Sequence, residues 1–136
     1  MFQENLDKLG QWAKDWQLKI SATKCCVLNI GRQSTAPTYY IDGQSLPNVD
    51  QSIDLGIIID GKLKFSKHIN TIVRKAITRA NLILKCFYSR DTSTLIKAFK
   101  VYVRPIIEYC SPAWSPHLVK DIILLDDLKD KAVRFN

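Results

Sequence analysis

The apolar pattern of the chain changes near Ser66, and this change constrains the fold more than any other feature. Before Ser66, apart from one helical stretch, apolar residues come in short runs between turn-forming residues, which is typical of strands. From Ser66 onward they recur every three or four positions, which is typical of helices packed on one side. We therefore predict an α+β fold with two subdomains. Residues 1–65 form a small antiparallel sheet with one amphipathic helix, and residues 66–136 form a bundle of about three helices.

In residues 1–65, the spacing of apolar residues predicts a helix from about Asn5 to Trp16, with Trp12 and Trp16 as packing residues rather than surfaces for base stacking. Residues 18–20, 26–30, 39–41, 44–46 and 53–59 are predicted strands. Asp42-Gly43 predicts a type I′ hairpin turn, which needs positive φ at both central positions.

In residues 66–136, the first helix is predicted to bury one stripe: Ile69, Ile72, Val73, Ala76, Ala80, Ile83, Leu84 and Phe87. Lys67, Arg74 and Lys85 fall in a sector about 20° wide, almost opposite that stripe. A second helix begins after Asp91 as N-cap and buries Leu95, Ala98, Phe99 and Tyr102, with Lys97 and Lys100 on its far side. A last helix is predicted from about Val119 to Phe135.

Positive charge is concentrated in one segment of the chain. From Gly61 to Arg104 inclusive there are eleven Lys or Arg residues and a single acid, Asp91, whereas the flanks are slightly acidic. A basic segment with helical periodicity predicts a folded surface for polyanions, and phosphates are the expected ligands. The alternative interpretation is a face that only keeps the protein soluble. Lys67, Arg74, Lys75, Arg79 and Lys85 are the predicted binding residues, followed by Lys97 and Lys100.

Several other classes of protein are not expected. No apolar run approaches the roughly 20 residues that span a bilayer, and the first residues lack a signal-peptide pattern, so we expect an intracellular protein without a membrane partner. The four cysteines lack the paired spacing of zinc sites and are expected to be reduced and mostly buried. His68 and His117 have no companions in sequence, and His68 is expected to cap or pack at a helix start. No metal site is predicted.

Short motifs distributed along nearly the whole chain resemble the end of the reverse transcriptases of non-LTR, LINE-type retrotransposons such as the jockey-like elements. Each motif is weak, but their order and spacing together are specific. They are Leu6-Asp7-Lys8-Leu9 with Trp12 and Trp16, Thr23-Lys24-Cys25, Asp54-Leu55-Gly56, Leu63-Lys64-Phe65-Ser66-Lys67-His68, Arg104-Pro105-Ile106-Ile107-Glu108-Tyr109 and Ala113-Trp114-Ser115-Pro116.

The resemblance implies roles for particular residues. Residues 1–65 correspond to the C-terminal palm, and residues 66–136 to the thumb. Lys24 corresponds to the lysine of palm motif D, which assists departure of pyrophosphate; the alternative is a solvated loop lysine. Leu55 and Gly56 correspond to a primer grip, because glycine allows a nucleic-acid backbone to approach closely. The alternative interpretation is that the side chain of Leu55 belongs to the core and that Gly56 only permits a bulge or tight strand packing.

The resemblance also implies something that this chain lacks. The family's catalytic aspartates, which hold the two metal ions of phosphoryl transfer, are expected upstream of Met1. Asp126-Asp127 lies in a helical pattern and is interpreted as a solvated helix face. Mg²⁺ is therefore implied for the full-length polymerase and no cofactor for this fragment. Whether the chain is an enzyme stays open, and we expect no polymerase activity from it alone.

The predicted function is to hold the RNA/DNA template–primer duplex as a fragment of an RNA-directed DNA polymerase of a mobile element. The implied partners are an RNA/DNA hybrid or another duplex, and the missing upstream palm and fingers. Nucleus and cytoplasm are the implied locations. Two alternatives remain: a non-catalytic nucleic-acid-binding remnant, or an interaction protein whose basic amphipathic helix docks on an acidic membrane or in a partner's groove.

Overall fold

The computed structural model describes residues 2–31, 37–88 and 91–133, with side chains described as far as residue 128. The chain passes from one compact unit to a second between Leu63 and Lys64. The mixture of short strands and helices, with a helical C-terminal unit, confirms the α+β class. The helices are α1 (Phe2–Asp15), α2 (Ser66–Cys86), α3 (Thr92–Tyr102), α4 (Arg104–Glu108), α5 (Ser111–Trp114) and α6 (Val119–Val133). The strands are β1 (Val27–Leu28), β2 (Tyr40–Ile41), β3 (Gln44–Ser45), β4 (Asn48–Val49), β5 (Gln51–Asp54) and β6 (Ile57–Asp60).

Helix α1 ends in a Schellman motif. Gln17 takes the left-handed conformation, with φ of 56°. Its N–H donates to the carbonyl of Lys14 at 3.0 Å, and the N–H of Leu18 donates to the carbonyl of Ala13 at 2.8 Å. These bonds turn the chain back at the helix end. The strand predicted over residues 18–20 is therefore wrong, because the Leu18 N–H is used to cap the helix.

The strands of the described residues pair two by two. Strands β2 and β3 form an antiparallel hairpin whose turn residues, Asp42 and Gly43, have φ of 50° and 75°, which confirms the predicted type I′ geometry. Strands β5 and β6 form a second hairpin, with turn residues Leu55 and Gly56 at φ of 46° and 85°. The single strand predicted over residues 53–59 is thus a hairpin, because Gly56 permits the turn. Strands β1 and β4 pair in parallel.

Helix α1 packs on the β2–β3 hairpin of the N-terminal unit. The side-chain amide of Gln3 donates to the carbonyl of Tyr40 at 2.9 Å and its oxygen accepts from the N–H of Tyr40 at 3.0 Å. Lys14 forms an ion pair of 2.8 Å with Asp42 in the hairpin turn. Hydrogen bonding to Asp42 raises the pKa of Lys14. These contacts fix which face of the helix meets the strands.

The two tryptophans of α1 lie outside that contact. The buried positions of the helix are Gly10, which has no side chain, and Ala13, whose side chain is a single methyl group, so the helix can approach the strands closely. Trp12 is 50% exposed and Trp16 is 68% exposed, and their rings contact each other with centroids 6.4 Å apart. The prediction that they are packing residues is therefore wrong within the described structure, because the small residues occupy the packed face.

The core of the C-terminal unit is built where α2, α3, α4 and α6 meet. Its small members, above all the three alanines, let the helices approach closely. The buried residues are Ala76, Ala80, Ile83, Leu95, Ala98, Val103, Ile107 and Leu128. Leu84 and Tyr102, which were predicted to be buried, are about half exposed because each lies at the edge of its helix's packed face. Other stripe residues, including Ile69, Ile72 and Val73, are buried as predicted.

Local signals set the helix boundaries in this unit. The side chain of Asp91 accepts from the N–H of Thr94 at 2.9 Å, which confirms the predicted N-cap of α3. The hydrogen bonds from Thr94 lower the pKa of Asp91. Pro105 lies in the first turn of α4, where its missing N–H is tolerated, so α3 stops and a new helix begins. Helix α6 begins at Val119 as predicted, and the predicted end at Phe135 lies outside the described residues.

Among the described residues, none of the helices is both long enough and apolar enough to cross a bilayer.

The cysteines form no disulfide, as expected, but they are not mostly buried: Cys26, Cys86 and Cys110 are exposed, and Cys25 is intermediate. The buried cluster of the C-terminal unit consists instead of aliphatic residues, three of which are alanines.

Candidate nucleic-acid interface

The five cations predicted to bind nucleic acid on α2 are all exposed, and we call them the α2 basic face: Lys67, Arg74, Lys75, Arg79 and Lys85. Three of them, Lys67, Arg74 and Lys85, lie within about 20° around the helix axis and span about 27 Å along it at 1.5 Å per residue. Lys75 and Arg79 are displaced from that line by about 80° and 120°. Helix α2 contains no acidic residue, so this face presents one sign of charge.

The opposite side of α2 is buried, which holds the basic face on a rigid support. Ile69 and Ala76 have no exposed surface, and Ile83 is buried at the far end of the helix. Fully burying one such aliphatic side chain stabilises a fold by about 1.5–3 kcal/mol. The positions of the cation backbones are therefore set by the core rather than by the surface.

A partly buried hydrogen bond anchors the start of α2. The hydroxyl of Ser66 donates to Oδ2 of Asp121, in the first turn of α6, at 2.7 Å. Asp121 is only 2% exposed, and a buried carboxylate needs such partners. This bond joins the first residue of α2 to α6, directly beside Lys67. Sequence reasoning missed it, because 55 residues separate the two partners.

The side chain of His68 is buried and does not belong to the exposed α2 basic face. It is 3% exposed, and its ring meets that of Trp114 edge to face with centroids 5.4 Å apart. Burial, and secondarily the positive charge of Lys75, lowers the pKa of His68, so the imidazole is neutral at pH 7. The expected packing role of His68 is confirmed. Trp114 is likewise buried, and its indole N–H donates to the carbonyl of Tyr109 at 2.8 Å.

Three uncharged polar residues of α2 donate hydrogen bonds to the backbone of the helix itself. Asn70 donates to the carbonyl of Ser66 at 2.7 Å, Thr71 to that of Lys67 at 2.8 Å and Thr78 to that of Arg74 at 3.0 Å. Each bond joins residues four apart, so these side chains fold back on the backbone.

The second-rank cations lie on α3 of the same unit. Lys97 and Lys100 are both exposed, while Leu95 and Ala98 on the other side of α3 are buried. This arrangement is the amphipathic one that the sequence predicts. One turn further along, Arg104 pairs with Glu108 through its Nε at 2.6 Å.

The primer-grip-like residues form the tip of the β5–β6 hairpin in the N-terminal unit. Leu55 is 82% exposed, and Gly56 is exposed beside it. The interpretation of Leu55 as a core side chain is therefore wrong: it occupies a turn position, and a turn tip points away from the strands. The hairpin presents an apolar side chain and a glycine together, with Ile53 also largely exposed nearby on β5.

Lys24 is exposed at the end of a short 3₁₀ turn, Ala22–Lys24, in the N-terminal unit. The turn is stabilised by backbone bonds from Lys24 to Ser21 at 3.0 Å and from Cys25 to Ala22 at 3.1 Å. The structure therefore holds Lys24 on an ordered turn. Its part in chemistry remains a prediction.

The described residues contain no group of three or more His, Cys, Asp or Glu side chains arranged to hold a metal ion. Asp126 and Asp127 are exposed on α6, as expected of a solvated helix face. The side chains described here thus do not fit the pair of metal ions that phosphoryl transfer requires. We assign no metal-dependent step to them.

Comparison with known proteins identifies several relatives. The chain is 30% identical over 111 residues to the RNA-directed DNA polymerase from mobile element jockey of Drosophila funebris, covering 79% of this chain and 12% of that protein. It is 29% identical over 139 residues to a probable RNA-directed DNA polymerase from transposon BS of Drosophila melanogaster, covering 97% of this chain and 15% of that protein. An uncharacterized protein of Caenorhabditis elegans is 34% identical over 73 residues, or 54% of this chain and 37% of that protein.

No protein-family model matches the chain. No solved structure matches it either. The similarity to the polymerases nonetheless extends over most of the chain, which confirms the resemblance to reverse transcriptases of non-LTR elements. The chain itself spans only 12% to 15% of the length of those relatives.

Proposed function

Because the chain is similar over most of its length to RNA-directed DNA polymerases of mobile elements, we propose that it is the C-terminal palm and thumb of such a polymerase and holds the RNA/DNA template–primer duplex. The observation that carries this proposal is the α2 basic face on its buried support. A helix of this kind contacts the phosphates of a duplex and positions it, without reading base edges. The α3 cations Lys97 and Lys100 add charge in the same unit.

The N-terminal unit supports the proposal in two places. The exposed Leu55 and Gly56 at the hairpin tip suit contact with a primer strand, because an apolar side chain packs on a sugar or base and glycine lets the backbone approach. Lys24 suits the assisting role of a motif D lysine, since a cation stabilises negative charge that develops on departing pyrophosphate. Lys24 has no reaction to assist unless the catalytic aspartates are supplied by another part of the polymerase.

We further propose that the missing upstream palm and fingers of the parent polymerase are the protein partner. The exposed apolar stripe of α1 supports this: Leu9, Trp12 and Trp16 lie on one side of the helix, with Leu18 exposed just beyond it. Contiguous apolar surface of this kind is typical of an interface. Replacing Trp12 and Trp16 by Ser is expected to abolish co-purification with a co-expressed upstream segment. Undiminished co-purification would contradict the assignment.

Mg²⁺ is the cofactor proposed for the full-length polymerase, where carboxylates outside this chain would hold it. The chain alone is expected to incorporate no nucleotides, and metal-dependent incorporation by the purified chain would contradict this. By the same similarity we propose that the protein works in the nucleus and cytoplasm, which microscopy of a tagged chain would test.

The decisive experiment measures binding of the purified chain to an RNA/DNA hybrid and to double-stranded DNA over a salt series. In the test variant Lys67, Arg74 and Lys85 are all changed to Gln; in the matched control, the exposed Lys8, Lys19 and Lys120 are changed to Gln, so both lose the same charge. Each lost phosphate contact lowers the log–log salt slope by about 0.9, so the test variant should lose about 2.7 and the control almost nothing. Equal losses in both would mean that only net charge matters.

The two alternatives are distinguishable. A non-catalytic remnant would bind the same duplexes, and genomic sequence directly upstream decides: an open frame with an aspartate pair on a predicted strand indicates the polymerase, whereas a stop codon indicates the remnant. Docking of α2 on a membrane or in a partner's groove needs its apolar face, but Ile69, Ala76 and Ile83 are already buried. Flotation with acidic liposomes would detect such docking.

A further inference from the structure

We propose that Asp121 is a positioning residue for duplex binding: its carboxylate, on α6, holds the first turn of α2 so that Lys67 stays in line with the other cations of the α2 basic face. The proposal rests on the duplex-binding function proposed above. Asp121 is only 2% exposed and does not itself reach a duplex. Its Oδ2 accepts from the hydroxyl of Ser66, the first residue of α2, at 2.7 Å.

The first turn of α2 carries a cation at the end of the helix that least favours one. Backbone dipoles give a helix N-terminus a partial positive charge, which attracts anions and repels cations within the first turn. Lys67 is the second residue of α2, and this turn contains no acidic residue. Lys85, by contrast, lies in the last turn, where the same dipoles favour a cation. Lys67 therefore needs support that Lys85 does not.

The N-cap residue of α2 does not provide that support. Phe65 takes the left-handed conformation, with φ of 54°, and its apolar side chain cannot accept a hydrogen bond from the N–H groups of the first turn. The backbone alone closes this turn at Phe65, where the N–H of Ile69 donates to the Phe65 carbonyl at 2.9 Å. A negative group for this end of the helix therefore has to come from another element.

Asp121 supplies such a group from α6. It lies in the first turn of α6, where an acidic residue also suits the dipole of its own helix. The bond to Ser66 places the carboxylate beside the first residue of α2, so one side chain serves the N-terminal ends of two helices. Breaking this bond would leave a buried acceptor without its donor, which is costly. The start of α2 is thereby held against α6, and Lys67 follows directly.

The anchor acts on Lys67 more than on the rest of the α2 basic face. Arg74 follows the buried Val73 in the middle of α2, and Lys85 lies about 27 Å beyond Lys67 along the helix. Helix ends fray before their centres do. Loss of the anchor would therefore displace Lys67 and leave Arg74 and Lys85 in place. We expect Asp121 to control the phosphate contact of one cation.

The test compares binding of the full chain and its variants to an RNA/DNA hybrid over a salt series. Asp121→Asn should lower the log–log salt slope by about 0.9, which corresponds to one phosphate contact. This variant gains positive charge, so an effect of charge alone would strengthen binding instead. Asp127→Asn, the same change at an exposed position of α6, is the matched control and should not weaken binding.

Paired variants separate positioning from a general loss of structure. In a Lys67→Gln background, Asp121→Asn should have no further effect on the salt slope, whereas in a Lys85→Gln background it should still lower the slope by about 0.9. A purely structural role would weaken binding equally in both backgrounds, and that result would overturn the proposal. Ser66→Ala should behave as Asp121→Asn does, and Ser66→Thr, which keeps the hydroxyl, should retain the wild-type slope.

Hydrogen exchange provides a readout that does not depend on duplex binding. In Asp121→Asn the backbone amides of residues 69–71 should accelerate roughly tenfold more than those of residues 83–86, because global unfolding affects both ends of α2 alike and fraying only one. An equal change at both ends would overturn the anchoring role. Faster exchange at residues 69–71 together with duplex affinity that does not depend on the α2 basic face would instead refute the duplex function, and with it the role of Asp121 in binding.

Discussion

The hydrogen bond between Ser66 and the buried Asp121 provides the sharpest test of how the C-terminal unit is held together. The Ser66 hydroxyl donates to a carboxylate oxygen at 2.7 Å, and the carboxylate is 2% exposed. Removing the hydroxyl leaves a buried charge without this donor. A hydrogen bond to a charged group contributes about 1.5–3 kcal/mol, so Ser66→Ala should lower the free energy of unfolding by about 2 kcal/mol.

The free energy of unfolding in urea is measured for Ser66→Ala, Asp121→Asn and the double variant. Far-ultraviolet circular dichroism and tryptophan fluorescence monitor the unfolding. Because the two side chains share one bond, the double-mutant cycle should show a coupling energy of about 1–2 kcal/mol. Asp127→Asn, an exposed position on the same helix, is the control and should change stability by less than about 0.5 kcal/mol. A cost of Ser66→Ala below about 0.5 kcal/mol, or strictly additive effects, would refute the reasoning.

Three further predictions concern other parts of the chain. Gln17→Gly should stabilise the protein by about 1 kcal/mol in urea unfolding, because the left-handed conformation at φ 56° costs a residue with Cβ but not glycine; a loss of stability would contradict the Schellman assignment. Gly61→Ala should destabilise strongly, by about 2 kcal/mol or more, since a Cβ there would lie 2.6 Å from the carbonyl oxygen of Asn29; an unchanged melting temperature would contradict it. The pKa of His68 is lower in the folded than in the unfolded state, so the unfolded state binds more protons near that pH. The free energy of unfolding should therefore fall as the pH drops below about 6.5, and His68→Gln should flatten that dependence. An identical pH profile in the variant would contradict the burial argument.

Much of the fold follows from local sequence signals, because the interactions that produce it join residues close in sequence. The Asp42-Gly43 turn depends on two backbone conformations, and the cap at Asp91 depends on a side chain reaching three residues along the chain. The alignment of Lys67, Arg74 and Lys85 along one side of α2 follows from helical periodicity alone. For the same reason, the cations predicted on α2 and α3 all proved to be exposed.

Errors arose where local patterns are ambiguous. An apolar run such as residues 53–59 fits one strand or a hairpin equally well, and only the pairing of Ile53 with Ile58 decides between them. Trp12 and Trp16 lie on an apolar stripe, yet the helix packs through its small residues instead. The width of a buried face, which left Leu84 and Tyr102 half exposed, depends on the neighbouring helices and not on the helix's own sequence.

The sequence by itself determined the class of fold, the position of the basic helix and the similarity to mobile-element polymerases, because composition, periodicity and motif order are properties of the chain alone. Only the tertiary structure decided the parallel pairing of β1 with β4, the burial of His68 against Trp114 and the bond from Ser66 to Asp121. These features join residues far apart in sequence. Their partners are selected by packing of the whole unit, which no local pattern records.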